Sequence, residues 1–403
     1  MKMTIETHGM LDVKRFGACG NGRTDDTDAI QAAISACAES GGGIVFLPKG
    51  RYRIDGALEL KRGVILRGAG GAVDGWGMPT VLEVYNREKS AITATWQSGV
   101  QYLEFYYPEQ RLEPNGLVPY PWTIFGSGEN ISVIGVSLRN SYDGINLTQA
   151  CRHLVRDVHG SPLHTGLYVD QCYDVGRIEN VHYWPFCGPE RHEDFYLNWL
   201  PHNSTAFVFG RTDWEYVYNT FCWGYRVGIH FIQTEHGSAN GQFLGVGVDA
   251  AEECIVVDQI NDHTGGVLIT NGELVPLMAE NSAALVVKDT NTGFISLTNC
   301  GVWGPSDNIA RIAGKGRVSV NGCNFIQWDK NKRDAAAIDV SGGTVSIVGN
   351  HFDKPMNRQM TAPQVAIREG TASAVVTANV CEGPWNAVNE IGERAQIGLN
   401  AGT

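Results

Sequence analysis

The sequence predicts an all-β fold, a right-handed parallel β-helix of about ten coils with three strands per coil and an N-terminal capping α-helix. Three observations support this fold class. A β-rich pattern recurs roughly every 25 residues in the second half of the chain. Glycine is abundant, at 49 of 403 residues, as a fold with many tight turns requires. One amphipathic helical segment precedes the first repeats.

The repeat becomes visible when the chain is aligned on its turns. Short β-rich runs break at nine positions: Asp157, Asn180, Asn219, Gly245, Asn271, Asn299, Asn324, Asn350 and Asn379. The successive intervals are 23, 39, 26, 26, 28, 25, 26 and 29 residues, and the long one contains an insertion at 185–205. A β-rich period of this length is typical of a solenoid.

Each repeat fits one coil of three parallel strands. A strand is followed by a tight turn at Asn, a short second strand, a variable loop and a third strand. Asn tolerates the left-handed backbone conformation of such turns, and stacked Asn amides can hydrogen-bond from coil to coil. A propeller would need repeats of about 40 residues, and a β-sandwich has no reason for a fixed repeat.

The open end of a solenoid exposes core and strand edges, so it needs a cap. The segment over 27–38 is predicted to be the capping helix, since its apolar residues share one face: Ile30, Ala33, Ile34 and Cys37. We expect a single structural domain with these parts: a cap of this helix and short strands over 1–58, and a β-helix over 59–403 carrying the insertion 185–205.

Two adjacent acids, Asp25 and Asp26, stand just before this helix. Together with Thr27, they are predicted to accept hydrogen bonds from the free N–H groups of the first turn, where negative charge also suits the helix dipole. A calcium-binding loop would need Glu at its twelfth position, where this chain has Ala36. The acid pair is therefore predicted to be structural.

Composition excludes several classes of partner. The net charge is −12 and no basic stripe is present, so neither nucleic acid nor an anionic membrane is expected. No apolar run reaches the ~18 residues of a membrane span, and the N-terminus lacks an apolar signal region. We expect a cytoplasmic protein or one released without a signal peptide, and an extracellular one if a leader is removed. The ten cysteines are scattered without a CxxC motif, as small core residues are.

The segment "DVKRFGACGNGRTDDTDAIQAAISACAESGGGIVFLPKGRYRI", over 12–54, resembles the N-terminal signature of pectate-lyase-superfamily β-helix proteins. That group includes family-28-like glycosidases, family-55 glucanases, inulin fructotransferases and phage tailspike depolymerases. The resemblance implies a right-handed parallel β-helix, a poly- or oligosaccharide substrate and a homotrimer. The chain departs from polygalacturonases, because it has "NTF" at 219, "EHG" at 235 and no Arg-Ile-Lys, and from pectate lyases, because it has no Trp-x-Asp-His.

In that superfamily the groove usually follows the third strands, so acids at matching places in adjacent coils are candidate catalytic residues. Asp213 lies four residues after Phe209, and Glu235 lies four residues after Phe231. If the two phenylalanines are equivalent, the acids stack about 4.8 Å apart and their pKa values split, as glycoside hydrolysis requires. They could equally be solvated turn acids. Further candidates along the same edge are Asp170, Asp258, Asp289 and Glu215, with Asp249 and Glu273 as lesser ones.

Candidate sugar-binding residues follow a second pattern. Tryptophan stands four residues past several turns, and its face suits sugar rings, although these residues could instead form the core of their loops: Trp184, Trp223, Trp303 and Trp328, with Asp249 at the same offset. A polysaccharide lyase is the alternative enzyme class. It would use a base such as His230, His236 or Lys288, with Arg211 neutralising a uronate carboxylate. A transglycosylase and a phage-fibre module that binds or depolymerises polysaccharide are further alternatives. The sequence shows no metal-ligand spacing and no cofactor motif, so neither a bound metal nor a cofactor is expected.

Overall fold

The computed structural model describes residues 10–70, 77–187, 192–353, 356 and 361–403. These residues form a right-handed parallel β-helix of about 14 turns, which confirms the predicted fold class. The prediction of about ten coils was too low. Early coils carry residues such as Tyr102 and Gly135 at the left-handed turn, so an alignment on Asn and Asp missed them. The chain divides into two compact units, Met1–Phe195 and Tyr196–Thr403. The single-domain organisation stays a prediction.

Unit 1 has three parallel sheets, and each coil gives one strand to each. The first-sheet strands are β1 Met10–Asp12, β3 Gly43–Leu47, β6 Val64–Gly68, β9 Gly99–Gln101 and β12 Ser132–Ile134. The second-sheet strands are β2 Asn21–Asp25, β4 Gly50–Ile54, β7 Thr80–Val84, β10 Glu104–Tyr106 and β13 Ser137–Arg139. The third-sheet strands are β5 Leu58–Glu59, β8 Ile92–Ala94, β11 Ile124–Gly126, β14 Asp143–Thr148 and β16 Thr165–Asp170. Strands β15 Leu154–Gly160 and β17 Arg177–Tyr183 each run through the first and second sheets.

Helix α1, Thr27–Glu39, confirms the predicted capping helix, and its apolar face, including Ile30 and Ile34, is buried. A short 3-10 helix, Val13–Phe16, precedes it. The chain leaves α1 through three glycines with positive φ. At Gly42 a side chain would meet the Gly63 carbonyl oxygen at 2.7 Å, so only glycine fits there.

The acid pair before α1 is structural, as predicted, but its members act differently. Asp25 Oδ1 accepts from the Thr27 backbone N–H at 3.0 Å, within the first turn. Asp26 is buried, and its carboxylate instead accepts from the N–H groups of Cys19 and Gly20 in the preceding loop. Asp26 therefore fixes that loop against the start of the helix rather than capping the helix with its side chain.

Unit 2 repeats the three-sheet plan. Its first sheet contains β19 Glu215–Tyr218, β22 Gly241–Leu244, β25 Val267–Thr270, β28 Phe294–Thr298, β31 Arg317–Asn321, β34 Thr344–Val348, β37 Ser373–Thr377 and β40 Ala395–Gly398. Its second sheet contains β20 Phe221–Trp223, β23 Gly247–Ala251, β26 Glu273–Pro276, β29 Gly301–Trp303, β32 Asn324–Ile326, β35 His351–Phe352, β38 Val380–Cys381 and β41 Ala401–Gly402. Its third sheet contains β18 Thr205–Phe209, β21 Val227–Phe231, β24 Glu253–Val257, β27 Ala283–Val287, β30 Asn308–Ile312, β33 Ile338–Val340, β36 Val365–Ile367 and β39 Ala387–Asn389.

The insertion 185–205 carries short helices: a 3-10 helix Pro185–Cys187, α2 Glu193–Asn198 and α3 Leu200–Asn203. Its residues 188–191 lie outside the described part of the chain. A last 3-10 helix covers Gly392–Arg394. Within the described ranges, no helix has both the length and the apolar character needed to cross a membrane.

The predicted turn chemistry is confirmed at Asn180, Asn219, Asn271 and Asn299, all of which have φ between 51° and 55°. Amide stacking is confirmed too, since Asn299 Nδ2 donates to Asn271 Oδ1 at 2.6 Å. Later in unit 2 the alignment was wrong by one or more positions. There the turn residues are Gly322, Gly349 and Ala378, while Asn350 and Asn379 follow the turn and point into the core.

Candidate functional site

A cleft of about 400 Å³ lies over the turns between the first and second sheets of unit 2. Its walls come from three successive turns and the strands that follow them. The lining residues are Asn219, Thr220, Phe221, Gly245, Val246, Gly247, Asp249, Asn271, Glu273, Val275 and Trp303. Two of the lining residues, Gly245 and Gly247, have no side chain and leave room between their larger neighbours.

Two carboxylates, Asp249 and Glu273, enter this cleft from adjacent parallel strands. Gly247 pairs with Glu273 and Asp249 pairs with Val275, so the two acids are diagonal neighbours on the outward face. Side chains in such diagonal positions are within reach of each other. The coil repeat therefore brings together two acids that are 24 residues apart in sequence.

The two acids have different surroundings. Burial raises the pKa of the Asp249 carboxyl, the charge of Glu273 raises it further, and a hydrogen bond from the Ala250 N–H partly opposes this. Glu273 is exposed, and its Oε1 accepts a hydrogen bond from the Trp303 indole N–H at 2.9 Å. Asp249 therefore holds its proton more tightly than a free aspartate does, and Glu273 is oriented by the Trp303 indole N–H.

Trp303 gives the cleft an aromatic wall, because 40% of its surface stays exposed while its N–H is held by Glu273. Trp223 pairs with Asp249 in the register of β20 and β23 and is half-buried. Trp328 was wrongly predicted as a sugar platform. It is fully buried and packs against Phe352, so no ligand can reach it. In unit 1, Trp184 packs edge-to-face on Phe186 with ring centroids 5.0 Å apart.

The predicted pair Asp213 and Glu235 does not form a carboxylate pair. Phe209 and Phe231 are in register, as predicted. However, the connection 232–240 is four residues longer than its counterpart 210–214. Because Glu215 pairs with Gly241, counting back from the next strand aligns Asp213 with Ala239 and leaves Glu235 in the extra turn.

The contacts of these two acids agree with that correction. Asp213 pairs with Arg211 at 2.8 Å and accepts from Asn240 Nδ2 at 2.9 Å, so its carboxylate is engaged in local structure. The Glu235 side chain is 85% exposed and approaches only the His236 ring, at 3.5 Å, among the residues that the structure describes. Two further candidates, Glu215 and Asp170, are buried and out of reach of a polymer.

A second polar region in unit 2 brings other predicted residues together. On the third sheet, His230 Nε2 lies 2.8 Å from Asp258 Oδ2. A separate cleft of about 550 Å³ is lined by Arg211, His236 and Gln259, the residue that follows Asp258. Lys288 follows β27 where Asp258 follows β24, so it lies on the next coil beside the dyad. A histidine paired with a carboxylate in this way could act as a general base.

The sequence pattern made Asp249 and Glu273 lesser candidates than Asp213 and Glu235. A usable signal was present: each acid follows a turn on adjacent coils, and Trp303 follows the next turn at a similar offset. Neither region described above has a metal-site ligand set. Asp249 and Glu273 offer two carboxylates, fewer protein ligands than zinc or calcium sites normally use.

The described coils define a right-handed parallel β-helix protein. The family model "Rhamnogalacturonase A/epimerase, pectate lyase-like" matches residues 10–77. Alginate lyase 7 of Azotobacter vinelandii is 47% identical over 94 residues, which cover 20% of this chain and 11% of that lyase. This chain therefore matches only a small part of that curated relative.

Solved structures show the same fold along most of the chain. The A-module of the Azotobacter vinelandii mannuronan C-5 epimerase AlgE4 has a TM-score of 0.59 at 16% identity, covering 96% of this chain and 100% of the module. The N-terminal fragment of bacteriophage phi29 gene product 12 has a TM-score of 0.71 at 14% identity, covering 97% of this chain and 70% of the fragment. At these identities the likeness concerns the fold alone.

Proposed function

We propose that this protein is a carbohydrate-active enzyme that cleaves glycosidic bonds of a poly- or oligosaccharide in the Asp249–Glu273 cleft. Two carboxylates from adjacent coils, one with a raised pKa, share this cleft with an exposed indole. That single arrangement supports the proposal, because glycoside hydrolysis needs one protonated and one ionised carboxyl group. The named relatives, an alginate lyase and a mannuronan epimerase, support a polysaccharide substrate.

In this mechanism Asp249 is the general acid. It gives its proton to the oxygen of the leaving sugar as the glycosidic bond breaks. Glu273, oriented by the Trp303 indole N–H, either activates a water molecule or attacks the anomeric carbon. Transfer to a sugar hydroxyl instead of water would make the same site an intramolecular transglycosylase.

Substitution of either acid tests the assignment. Asp249→Asn and Glu273→Gln should each reduce turnover by about 10²–10⁴-fold, the usual contribution of general acid–base catalysis. Turnover is measured as reducing ends released from a panel of alginate, polygalacturonate and neutral glucans. The matched control is Glu235→Gln, which should retain most of the activity because Glu235 is exposed and lies outside the cleft. Full activity in both cleft variants would reject the proposal.

A polysaccharide lyase is the second candidate, favoured by the His230–Asp258 dyad and by the cleft that Arg211 and His236 line. His230 would take the proton from the carbon next to a uronate carboxylate. The bond to the leaving sugar oxygen would then break and leave a carbon–carbon double bond. Arg211 would neutralise the carboxylate, but it must first loosen its ion pair with Asp213.

Product absorbance separates the two candidates. Elimination produces an unsaturated sugar that absorbs ultraviolet light, and hydrolysis does not. Ultraviolet-absorbing products that disappear in His230→Gln and persist in Asp249→Asn would establish the lyase. Reducing ends without ultraviolet absorbance, lost in Asp249→Asn, would establish the hydrolase.

A further inference from the structure

Three aromatic side chains form an exposed line on the first sheet of unit 2, which we call the aromatic strip: Trp214, Tyr216 and Tyr218. They are 64%, 37% and 54% exposed. Tyr216 and Tyr218 are alternate residues of β19, so both point outward about 6.6 Å apart along the strand. Within the described residues, none of the three rings stacks on another aromatic ring.

Trp214 is held in an unfavourable backbone conformation, with φ of 55°. Bulky residues rarely adopt positive φ, and the conformation persists only when its surroundings enforce it. Here Asn240 enforces it, since its Oδ1 accepts the Trp214 N–H at 3.0 Å and its Nδ2 donates to Asp213. The carboxylate of Asp213 and its partner Asn240 thus support a turn that displays an indole to solvent.

The neighbouring strands continue the strip with uncharged groups. In register with Tyr216 and Tyr218 are Gln242 and Leu244 on β22, followed by Leu268 and Thr270 on β25. Next come Ser296 and Thr298 on β28. Amides and hydroxyls beside aromatic rings suit a sugar chain, whose rings offer apolar faces and hydroxyl edges together.

The aromatic strip leads directly into the proposed catalytic cleft. Tyr218 and Leu244 end their strands immediately before Asn219 and Gly245, and both of these turn residues line the cleft. A ligand that lies across the strip would therefore continue over the turns toward Asp249 and Glu273.

We infer that the aromatic strip is a non-catalytic holding surface for a polysaccharide chain whose end or branch enters the cleft. This inference rests on the proposed polysaccharide activity and adds a second binding site to it. The strip binds pyranose rings by stacking, without charge selection of its own. Long substrates should therefore gain affinity from the strip, and short oligosaccharides that fill only the cleft should not.

Affinity electrophoresis in gels containing alginate, polygalacturonate or a neutral glucan tests binding without turnover. All proteins carry Asp249→Asn, so the polymer stays intact. The strip variants are Trp214→Asn, which tolerates the same backbone conformation, and the double variant Tyr216→Ala/Tyr218→Ala. The matched control is Val375→Ala, since Val375 is 43% exposed and lies in the same outward row on β37.

At least one polymer should retard the Asp249→Asn parent protein and the Val375→Ala control. The affinity for that polymer should fall roughly tenfold in the Tyr216→Ala/Tyr218→Ala variant, as the loss of two stacking contacts implies. Equal retardation of all variants, or a parent that no polymer retards, would overturn the inference. So would strip variants that change the oligomeric state in light scattering while retardation is kept, since the strip would then bind a second copy of the chain. Thermal melting verifies that each variant is folded. The cleavage proposal is tested separately by turnover of Asp249→Asn on short oligosaccharides.

Discussion

At the scale of single residues, burial and partners decide which acids are suited to chemistry. Asp213 lies in the connection before β19 and is tied to Arg211 and Asn240, whereas Asp249 lies in β23 and faces a cleft. The carboxylate of Glu273 is near enough to contribute to the raised pKa of Asp249. A general acid needs the environment of Asp249, with a raised pKa and access to a cleft, rather than a local ion pair such as that of Asp213.

The raised pKa of Asp249 predicts how activity and stability depend on pH. The rate should fall as pH rises through that pKa, because the general acid loses its proton. An acid with a raised native pKa stabilises the folded protein fully below its unfolded pKa, and this contribution is lost as pH rises through the folded pKa. Asp249→Asn should therefore gain stability relative to the wild type across this window, measured by urea unfolding at a series of pH values.

The control for this pH series is Asp289→Asn, at an exposed acid outside the Asp249–Glu273 cleft. A stability difference between wild type and Asp249→Asn that is constant with pH would contradict the raised pKa. A difference that falls with rising pH would contradict it more strongly, since the sign would be reversed.

Residue-level prediction from the sequence succeeded where strand periodicity applied and failed in the connections. Phe209 and Phe231 were placed in register correctly, because both belong to third-sheet strands with the same inward pattern. Glu235 was misplaced because the length of the loop after β21 is not repeated from coil to coil. Loops tolerate insertions at little thermodynamic cost, so counting across them loses the register.

At the scale of elements, a buried amide row stabilises the end of unit 2. Asn350 Oδ1 accepts the Cys323 N–H, and its Nδ2 donates to the Val320 carbonyl and to Asn379. Asn379 makes the same type of contact with Asn400 on the next coil. Each amide therefore satisfies backbone groups that the tight turns would leave unpaired in the core.

Asn350→Ala should lower the free energy of unfolding by about 3 kcal/mol, because at least two buried backbone groups lose their partners. Urea denaturation measures the change. Asn324→Ala is the matched control, since the sequence assigned Asn324 to the same row but the structure exposes it at the start of β32. We expect that substitution to change stability by less than about 0.5 kcal/mol. Equal losses of unfolding free energy in the two variants would show that the buried asparagine row stabilises the fold no more than an exposed asparagine does.

Element types were predictable because the turns carry their own chemistry, and their exact positions were not. Asn at a left-handed turn and Asn just inside the core look identical in a single sequence. The chain uses Gly322, Gly349 and Ala378 at these later turns, and Asn350 and Asn379, which follow Gly349 and Ala378, take the buried role. Only the strand register separates the two uses.

At the scale of the whole molecule, each coil mainly contacts its neighbours, so stability should propagate along the solenoid from its protected end. In unit 1 that end is covered by α1, where Ile30 and Ile34 are fully buried. The fold class and the cap were both predictable, because the repeat and the amphipathic helix are local patterns. The number of coils was not, since early turns use residues without a common type.

Ile34→Ala should lower the stability of the cap by about 2–5 kcal/mol, the usual loss for such a truncation in a core. Because coupling in a solenoid is between neighbours, the loss should be largest in the coils next to α1 and fade along unit 1. Hydrogen exchange followed by mass spectrometry resolves this gradient, with Glu39→Ala as the control at an exposed position of the same helix. Unit 2 should keep its protection, since it has its own core, in which Phe209 and Phe231 stack and Phe243 packs edge-to-face on both. Faster exchange to the same extent in both units would mean that the chain unfolds as one cooperative block, and nearest-neighbour coupling would then be the wrong description.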